Sequence, residues 1–254
     1  MIQTAFKAAK ESGEILKKYY RSDCRIYKKG VNDLVTDADY ESERKVMEII
    51  KQKFPNHSFI CEECGYSGNE DSEYKWLVDA LDGTINFSRC VPLFSVSIAL
   101  LKKDIPIVSV IYNPITEDFY YAEKGKGAYL NDKRLYISKN SSLKESIIVT
   151  DLTKDRAFHD EFFNMLLSLS KDVLGIRLTQ STSLNLAFVA EGRYDIFIKN
   201  KINYYDGIAG ALICEEAGGN AIDFSGKRIS KSSQGIIVSN NLLNEKILEK
   251  IKLS

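Results

Sequence analysis

Apolar residues recur at helical spacing from the first turn of the chain. Ile2, Ala5, Phe6, Ala9, Gly13, Leu16 and Tyr20 predict an amphipathic helix over 2–20. A second helix is expected from Thr36 or Asp37, with Glu41 and Glu43 in its first turns, as the macrodipole favours. Tyr40, Val46, Met47, Ile49 and Ile50 supply its apolar positions, and Phe54-Pro55 ends it. Asp37 reads as an N-terminal cap. The pattern then shortens. His57–Ile60, Trp76–Val78, Val91–Leu101, Ile105–Tyr112 and Phe119–Ala122 read as strands, and a polar loop is expected over Glu70–Lys75. The last three strands follow one another through short turns, which predicts an antiparallel meander.

A polar, Ser-rich stretch at Lys139–Lys144 marks a boundary. Beyond it strands and helices alternate. Strands are expected at Ile147–Thr150, Val173–Leu178 and Tyr194–Ile198, and helices at Phe158–Leu169 and Ser183–Glu191, the second closed by Gly192. A further helix runs through Ile208, Ala211, Leu212 and Glu215 to Gly218-Gly219, and strands and a helix complete 220–254. Alternation of this kind favours an α/β layer. The expected organisation is an α+β subdomain over 1–140 and an α/β subdomain over 141–254.

Composition narrows the function classes. The 254 residues carry 35 Lys+Arg and 35 Asp+Glu, so no global charge pulls the chain toward nucleic acid or an anionic membrane. No apolar run is long enough to span a bilayer, and the first twenty residues mix lysines and glutamates with apolar positions, unlike a signal peptide. Five cysteines (Cys24, Cys61, Cys64, Cys90 and Cys214) fit reduced thiols and a cytoplasmic location.

Candidate chemistry concentrates in Trp76-Leu-Val-Asp-Ala-Leu-Asp-Gly-Thr-Ile-Asn-Phe87. The apolar run reads as a buried strand whose tip carries Asp79 and Asp82. Gly83 permits a tight bend, and Thr84 and Asn86 can cap a helix that begins there. Two carboxylates and the carbonyl between them suit a hard cation such as Mg²⁺. A helix N-terminus beside it offers N–H groups to a phosphate. The alternative is that Asp-Gly is only a turn. Cys61-Glu-Glu-Cys64 could be a redox pair, with oxidation displacing Glu62; as half a zinc site it lacks partners, since His57 and His159 are the only histidines. Gly125-Lys-Gly127 resembles a phosphate loop only weakly.

The 76–87 stretch resembles the signature of the inositol monophosphatase family, with Ala80 where proline is usual and Ile85 where threonine or serine is common. Leu34-Val-Thr-Asp-Ala-Asp39, Cys61-Glu-Glu-Cys64 and Tyr205-Asp-Gly-Ile-Ala-Gly210 resemble three further segments of that family. The resemblance implies a layered αβαβα sugar-phosphatase-like fold, with an N-terminal antiparallel sheet and helices and a C-terminal α/β sheet. It implies two or three Mg²⁺ ions held by Glu62, Asp79, the carbonyl of Leu81, Asp82 and Asp206. Glu62, Thr84 and Asp39 would be catalytic, the last two orienting water. Phosphate and substrate would meet Asp82, Gly83, Thr84, Ser181, Thr182 and Lys199. The implied reaction is direct hydrolysis of a small phosphomonoester, inhibited by Li⁺, in a homodimer with no nucleic-acid or membrane partner.

Substrate choice is more open. Lys199 stands where inositol-selective relatives carry an acidic residue, and Gln180-Ser181-Thr182 replaces a small Gly-x-Ala segment. Lys199 and Lys201 could favour a second anionic group, or could be a solvated loop. Inositol phosphate leads. A 3′-phosphoadenosine 5′-phosphate, fructose bisphosphate or histidinol phosphate phosphatase, and a non-enzymatic scaffold, are the alternatives.

Overall fold

A computed structural model describes residues 1–22, 25–30, 33–230 and 232–252. Cys24 lies outside the described residues. The chain runs α1 (Ile2–Tyr19), β1 (Ile26–Gly30), β2 (Asp33–Thr36), α2 (Asp37–Lys53), β3 (Ser58–Cys61), β4 (Gly65–Ser67), β5 (Tyr74–Asp82) and α3 (Thr84–Ser88). Then come β6 (Ser95–Lys102), β7 (Ile105–Asn113), β8 (Asp118–Glu123), β9 (Ala128–Leu130) and β10 (Lys133–Arg134). The remainder is β11 (Ile147–Thr150), α4 (His159–Ser170), β12 (Gly175–Leu178), α5 (Thr182–Ala190), β13 (Ile196–Lys199), α6 (Tyr204–Glu216), β14 (Asn220–Ile222), β15 (Ile236–Ser239) and α7 (Asn241–Lys252).

Period-two alternation sorts the strand side chains into separate cores. On β5, Trp76 and Val78 join one core with Ala5, Ala9 and Leu16 of α1 and Val46 and Ile50 of α2. Leu77, between them, faces a second core with Leu186 and Val189 of α5 and Leu212 and Cys214 of α6. Val149 and Phe197 of the second sheet close that core from its other side, while Ile148 and Ile196 face a third, with Phe162 of α4 and Ile247 of α7. The layers are therefore α1/α2, sheet, α5/α6, sheet, α4/α7, the αβαβα order expected. Each fully buried large side chain contributes about 1.5–3 kcal/mol. The first layer sits close because α1 presents small residues: a Cβ on Gly13 would lie 2.5 Å from the Tyr112 ring.

The large sheet has the order β10-β9-β8-β7-β6-β5-β3-β4. Its meander is antiparallel, as expected, but β3 runs parallel to β5, because β4, antiparallel to β3, returns the chain to the end where β3 began. The second sheet, β12-β11-β13-β15-β14, is parallel over its first three strands and antiparallel over the last two pairings. Several boundaries differ from expectation: β5 already begins at Tyr74, inside the expected polar loop, and the strand expected from Tyr194 begins at Ile196. The strand expected from Val91 begins at Ser95, because Cys90 takes φ +58° and Val91 N–H folds back onto Asn86. The Val173 strand starts at Gly175, and β4 is new, too short to show a period. No helix among the described residues is long and apolar enough to cross a membrane.

Candidate active site

Residues three apart on a regular strand face opposite ways, yet Asp79 and Asp82 line one cleft. The register explains it. Asp79 stands opposite Ser97 and Asp82 opposite Ser95, so three steps on β5 match two on β6. That bulge turns the strand end and brings both carboxylates to the same side. Gly83 follows at φ +92°, where an added Cβ would sit 2.7 Å from the Leu93 carbonyl oxygen. No side chain caps the five-residue α3. Thr84 and Asn86, expected as caps, do other work. Thr84 Oγ1 lies 3.1 Å from the Leu81 carbonyl and 3.2 Å from Asp39 Oδ1. Asn86 Nδ2 donates to the carbonyls of Leu93 (2.8 Å) and Thr179 (2.7 Å), tying α3 to the β12–α5 connection.

Asp39, not Asp37, ties down the start of α2. Its Oδ2 accepts from Thr36 N (2.7 Å) and Thr36 Oγ1 (2.6 Å), while Asp37 accepts from the Tyr27 hydroxyl. Burial pushes the Asp39 carboxyl up to about 7 against those two donors, helped by the charges of Glu63 and Glu62. Four residues on, Glu43 is fully buried, and its oxygens accept Glu63 N (2.9 Å) and Cys64 N (2.8 Å). Glu43 therefore holds the turn that carries Glu62. The sequence offered a signal: positions i and i+4 share a helix face, so Glu43 had to point the way Asp39 points.

Cys61 is buried and Cys64 exposed, and both are free thiols. Burial pushes Cys61 well up, and a hydrogen bond to Glu43 followed by burial pushes Cys64 up to about 11. Thiolate is the reactive form, so both shifts run against thiol reactivity at this pair. His57 accepts from Trp76 Nε1 (3.0 Å), and His159 Nε2 lies 2.8 Å from the Thr153 carbonyl. The amides of Gly125 and Gly127 donate to Glu216, so that loop is scaffold.

Glu62, Asp79, Leu81, Asp82, Gly83, Thr84, Thr182, Lys199 and Asp206 all line one cleft of about 790 Å³; Lys201 is on it too. Asp79 is raised well above the usual carboxylate range, first by burial, then by the charges of Glu62, Asp82 and Asp206. Burial likewise pushes Asp206 up to about 7, with Glu62 adding to it and Lys199 opposing. Asp82 rises to about 6 by burial, restrained by the Ser181 hydroxyl. Among the described residues no three acidic, histidine or cysteine groups close around one point as they stand. Like charges spread, each to its own donors. Glu62 reaches Lys154 Nζ at 3.1 Å. Asp82 accepts from Ser181 Oγ (2.5 Å), Thr182 N (3.1 Å) and Ser183 N (3.0 Å) at the start of α5. Ser181 thus meets Asp82 directly, and Thr182 faces Lys199 and Asp151: Lys199 Nζ donates to Thr182 Oγ1 (2.9 Å), which donates to Asp151 Oδ2 (2.9 Å). Asp151, almost wholly buried, and Lys154 were absent from the sequence reading. Asp151 follows a parallel strand's C-terminal end, where α/β sheets place ligands, and that was the available signal. Lys154 sits in an irregular loop without one.

A model of the inositol monophosphatase family matches residues 1–254. An inositol-1-monophosphatase of Caulobacter vibrioides is 37% identical over 261 residues, covering 99% of each chain. A protein named Nus factor SuhB from Haemophilus influenzae is 35% identical over 255 residues, covering 99% of this chain and 96% of its own. The solved extragenic suppressor protein suhB of Bartonella henselae superposes with a TM-score of 0.95 at 32% identity, over 98% of this chain and 97% of that one.

Proposed function

The chain belongs to the inositol monophosphatase family, whose members are phosphomonoester hydrolases, and we propose that it hydrolyses a small phosphomonoester of the inositol 1-phosphate type with Mg²⁺. One observation carries the reading. Asp79, Asp82 and Asp206 are all raised by burial at one cleft, with Glu62 beside them. A fold that gathers carboxylates against their own repulsion has the chemistry of a cation site. The donor set fits: the side chains of Glu62, Asp79, Asp82 and Asp206 and the Leu81 carbonyl are all oxygens, as a hard divalent ion requires. Bound there, two or three Mg²⁺ ions would neutralise the cluster and supply the Lewis acidity for attack of water on phosphorus.

The chain's own groups handle orientation and protons. With its hydroxyl hydrogen directed to Asp39 Oδ1, Thr84 Oγ1 presents lone pairs that accept a hydrogen bond from the attacking water. Asp39, raised to about 7, is matched to proton transfer near neutral pH. The backbone around Gly83 and Thr84, with Ser181 and Thr182 opposite, would flank the phosphate. Water adds to phosphorus, the P–O ester bond breaks, and the leaving oxygen takes a proton to give the alcohol and inorganic phosphate. Residues 1–140 would supply most metal ligands, and residues 141–254 Asp206 and the substrate contacts. A homodimer, lithium sensitivity and a cytoplasmic location belong to the same reading. The Haemophilus relative is named a Nus factor and not a phosphatase, so the exclusion of nucleic acid, which rested on net charge, is not carried into this proposal.

The test is phosphate release from inositol 1-phosphate, fructose 1,6-bisphosphate, 3′-phosphoadenosine 5′-phosphate and histidinol phosphate. Release with Mg²⁺, lost in EDTA and depressed by Li⁺, is expected. No release from any compound at any Mg²⁺ concentration would overturn the assignment.

A further inference from the structure

Lys199 ends β13 and is only 9% exposed. A solvated lysine on a loop, one of the two readings open from sequence, is therefore excluded. Its ammonium lines the cleft and makes one hydrogen bond, to Thr182 Oγ1 at 2.9 Å. Among the described residues no carboxylate is in ion-pair contact with it, although Asp82 and Asp206 feel its charge. The head is also fixed in place. Thr182 passes its own hydrogen to Asp151 Oδ2, and Asn185 Nδ2 donates to Asp151 Oδ1 at 2.7 Å, so the chain of contacts is anchored on α5.

An ammonium has three donors and no acceptor. Here one donor is used by the protein, on a side chain that is mostly buried and opens only to the cleft. A buried cation left this way is costly unless an anion meets it. A neutral substrate hydroxyl offers a dipole and not a charge, and Lys199 cannot accept the hydroxyl hydrogen as a carboxylate at this position would. Lys201, two residues on and on the same cleft, holds its Nζ 4.1 Å from the Phe158 ring centroid, a second cation on that wall.

We propose that Lys199 is a specificity-determining residue that binds a second anionic group, phosphate or carboxylate, on the substrate whose phosphoester is cleaved. This rests on the phosphomonoesterase reading and departs from it on the substrate: in place of an inositol 1-phosphate type compound, the substrate is a small molecule with two anionic groups. The positive wall binds the group that stays, and the acidic wall addresses the group that leaves.

The experiment is initial-rate kinetics with Mg²⁺ on matched pairs. Fructose 1-phosphate against fructose 1,6-bisphosphate tests a second phosphate, and glycerol 2-phosphate against 2-phosphoglycerate tests a carboxylate. Wild type is expected to favour the doubly anionic member of at least one pair by about tenfold or more in kcat/KM, chiefly through KM. Lys199→Gln should bring that ratio to near unity, and Lys199→Glu should reverse it. A ratio within a pair does not depend on how much of a variant is folded. A ratio near unity in both pairs for wild type, or the wild-type ratio in Lys199→Gln, would overturn the proposal. If no compound is turned over, the phosphatase reading fails on its own. Calorimetric binding of the same pairs then decides the subsite, and equal affinity for both members of each pair would overturn it.

Discussion

Asp206→Asn should stabilise the metal-free protein while abolishing phosphate release. Burial, then the Glu62 charge, lifts the Asp206 carboxyl from 3.8 to about 7. Below pH 3.8 the folded and unfolded chains both hold this proton, and folding is indifferent to it. Between about pH 4 and 7 the unfolded chain releases the proton and the folded chain keeps it, so stability falls as pH rises. Above that window the loss is complete: roughly three pH units at 1.36 kcal/mol each, or about 4 kcal/mol. Asp206 is only partly covered by its neighbours, and solvent screening brings the figure toward about 2 kcal/mol. Asparagine keeps the shape and removes the charge. The variant should therefore gain about 2–4 kcal/mol over wild type at pH 8 and almost nothing at pH 4. Urea unfolding in EDTA, followed by the fluorescence of Trp76, the only tryptophan, measures both. Equal stability at pH 8, or the same gain at both pH values, would refute a carboxyl raised by burial and by its acidic neighbours. Saturating Mg²⁺ should reverse the order, since a cation held by the native wild type stabilises it by mass action. Asp82→Asn should not gain in the same way, because that carboxylate already accepts from Ser181, Thr182 and Ser183.

Glu43→Gln replaces one acceptor of two backbone amides with an N–H₂ that faces an N–H, at a cost of about 1–3 kcal/mol. The Mg²⁺ concentration for half-maximal rate should rise as the Glu62 turn loosens; an unchanged urea midpoint with an unchanged Mg²⁺ requirement would contradict this. Gly83→Ala meets both a left-handed backbone and the Leu93 carbonyl, and should cost at least about 2 kcal/mol along with most of the activity. A wild-type melting temperature would show that this turn is not held where described.

Much of the layer order was legible because hydrophobic period carries it. The α1 pattern of Ile2 to Leu16 and the strand runs of 96–101 and 107–112 survive almost unchanged, since long amphipathic segments have one way to bury their apolar side. What escaped was local backbone and polar pairing. The Val91–Phe94 segment is apolar enough to read as strand, but Cys90 reverses the chain there. β4, Gly65-Tyr66-Ser67, has no period to see. Asp79 and Asp82 were found by motif, but the bulge that turns them to one side is a property of pairing with β6, which no window on β5 contains. Glu43 was read as a dipole-friendly acid in a helix's first turns, although its helix face pointed inward. Lys199 was the reverse: composition makes a lysine an exposed residue by default, and only packing shows it buried.

The bulge in β5 has a bearing on how this protein can change over time. Successive residues of that strand serve different cores, Trp76 and Val78 on one side and Leu77 on the other. One inserted or deleted residue between Tyr74 and Val78 would exchange the two sets and strand large apolar groups in the wrong layer. One inserted or deleted residue between Asp79 and Asp82 would disturb only the Ala80 and Leu81 contacts of the first core and would turn one carboxylate out of the cleft. Substitution in this segment is therefore a graded matter, whereas a change of length is not. Descendants of this chain can vary the chemistry of the cleft from its other walls, while the spacing of β5 is inherited as a fixed unit.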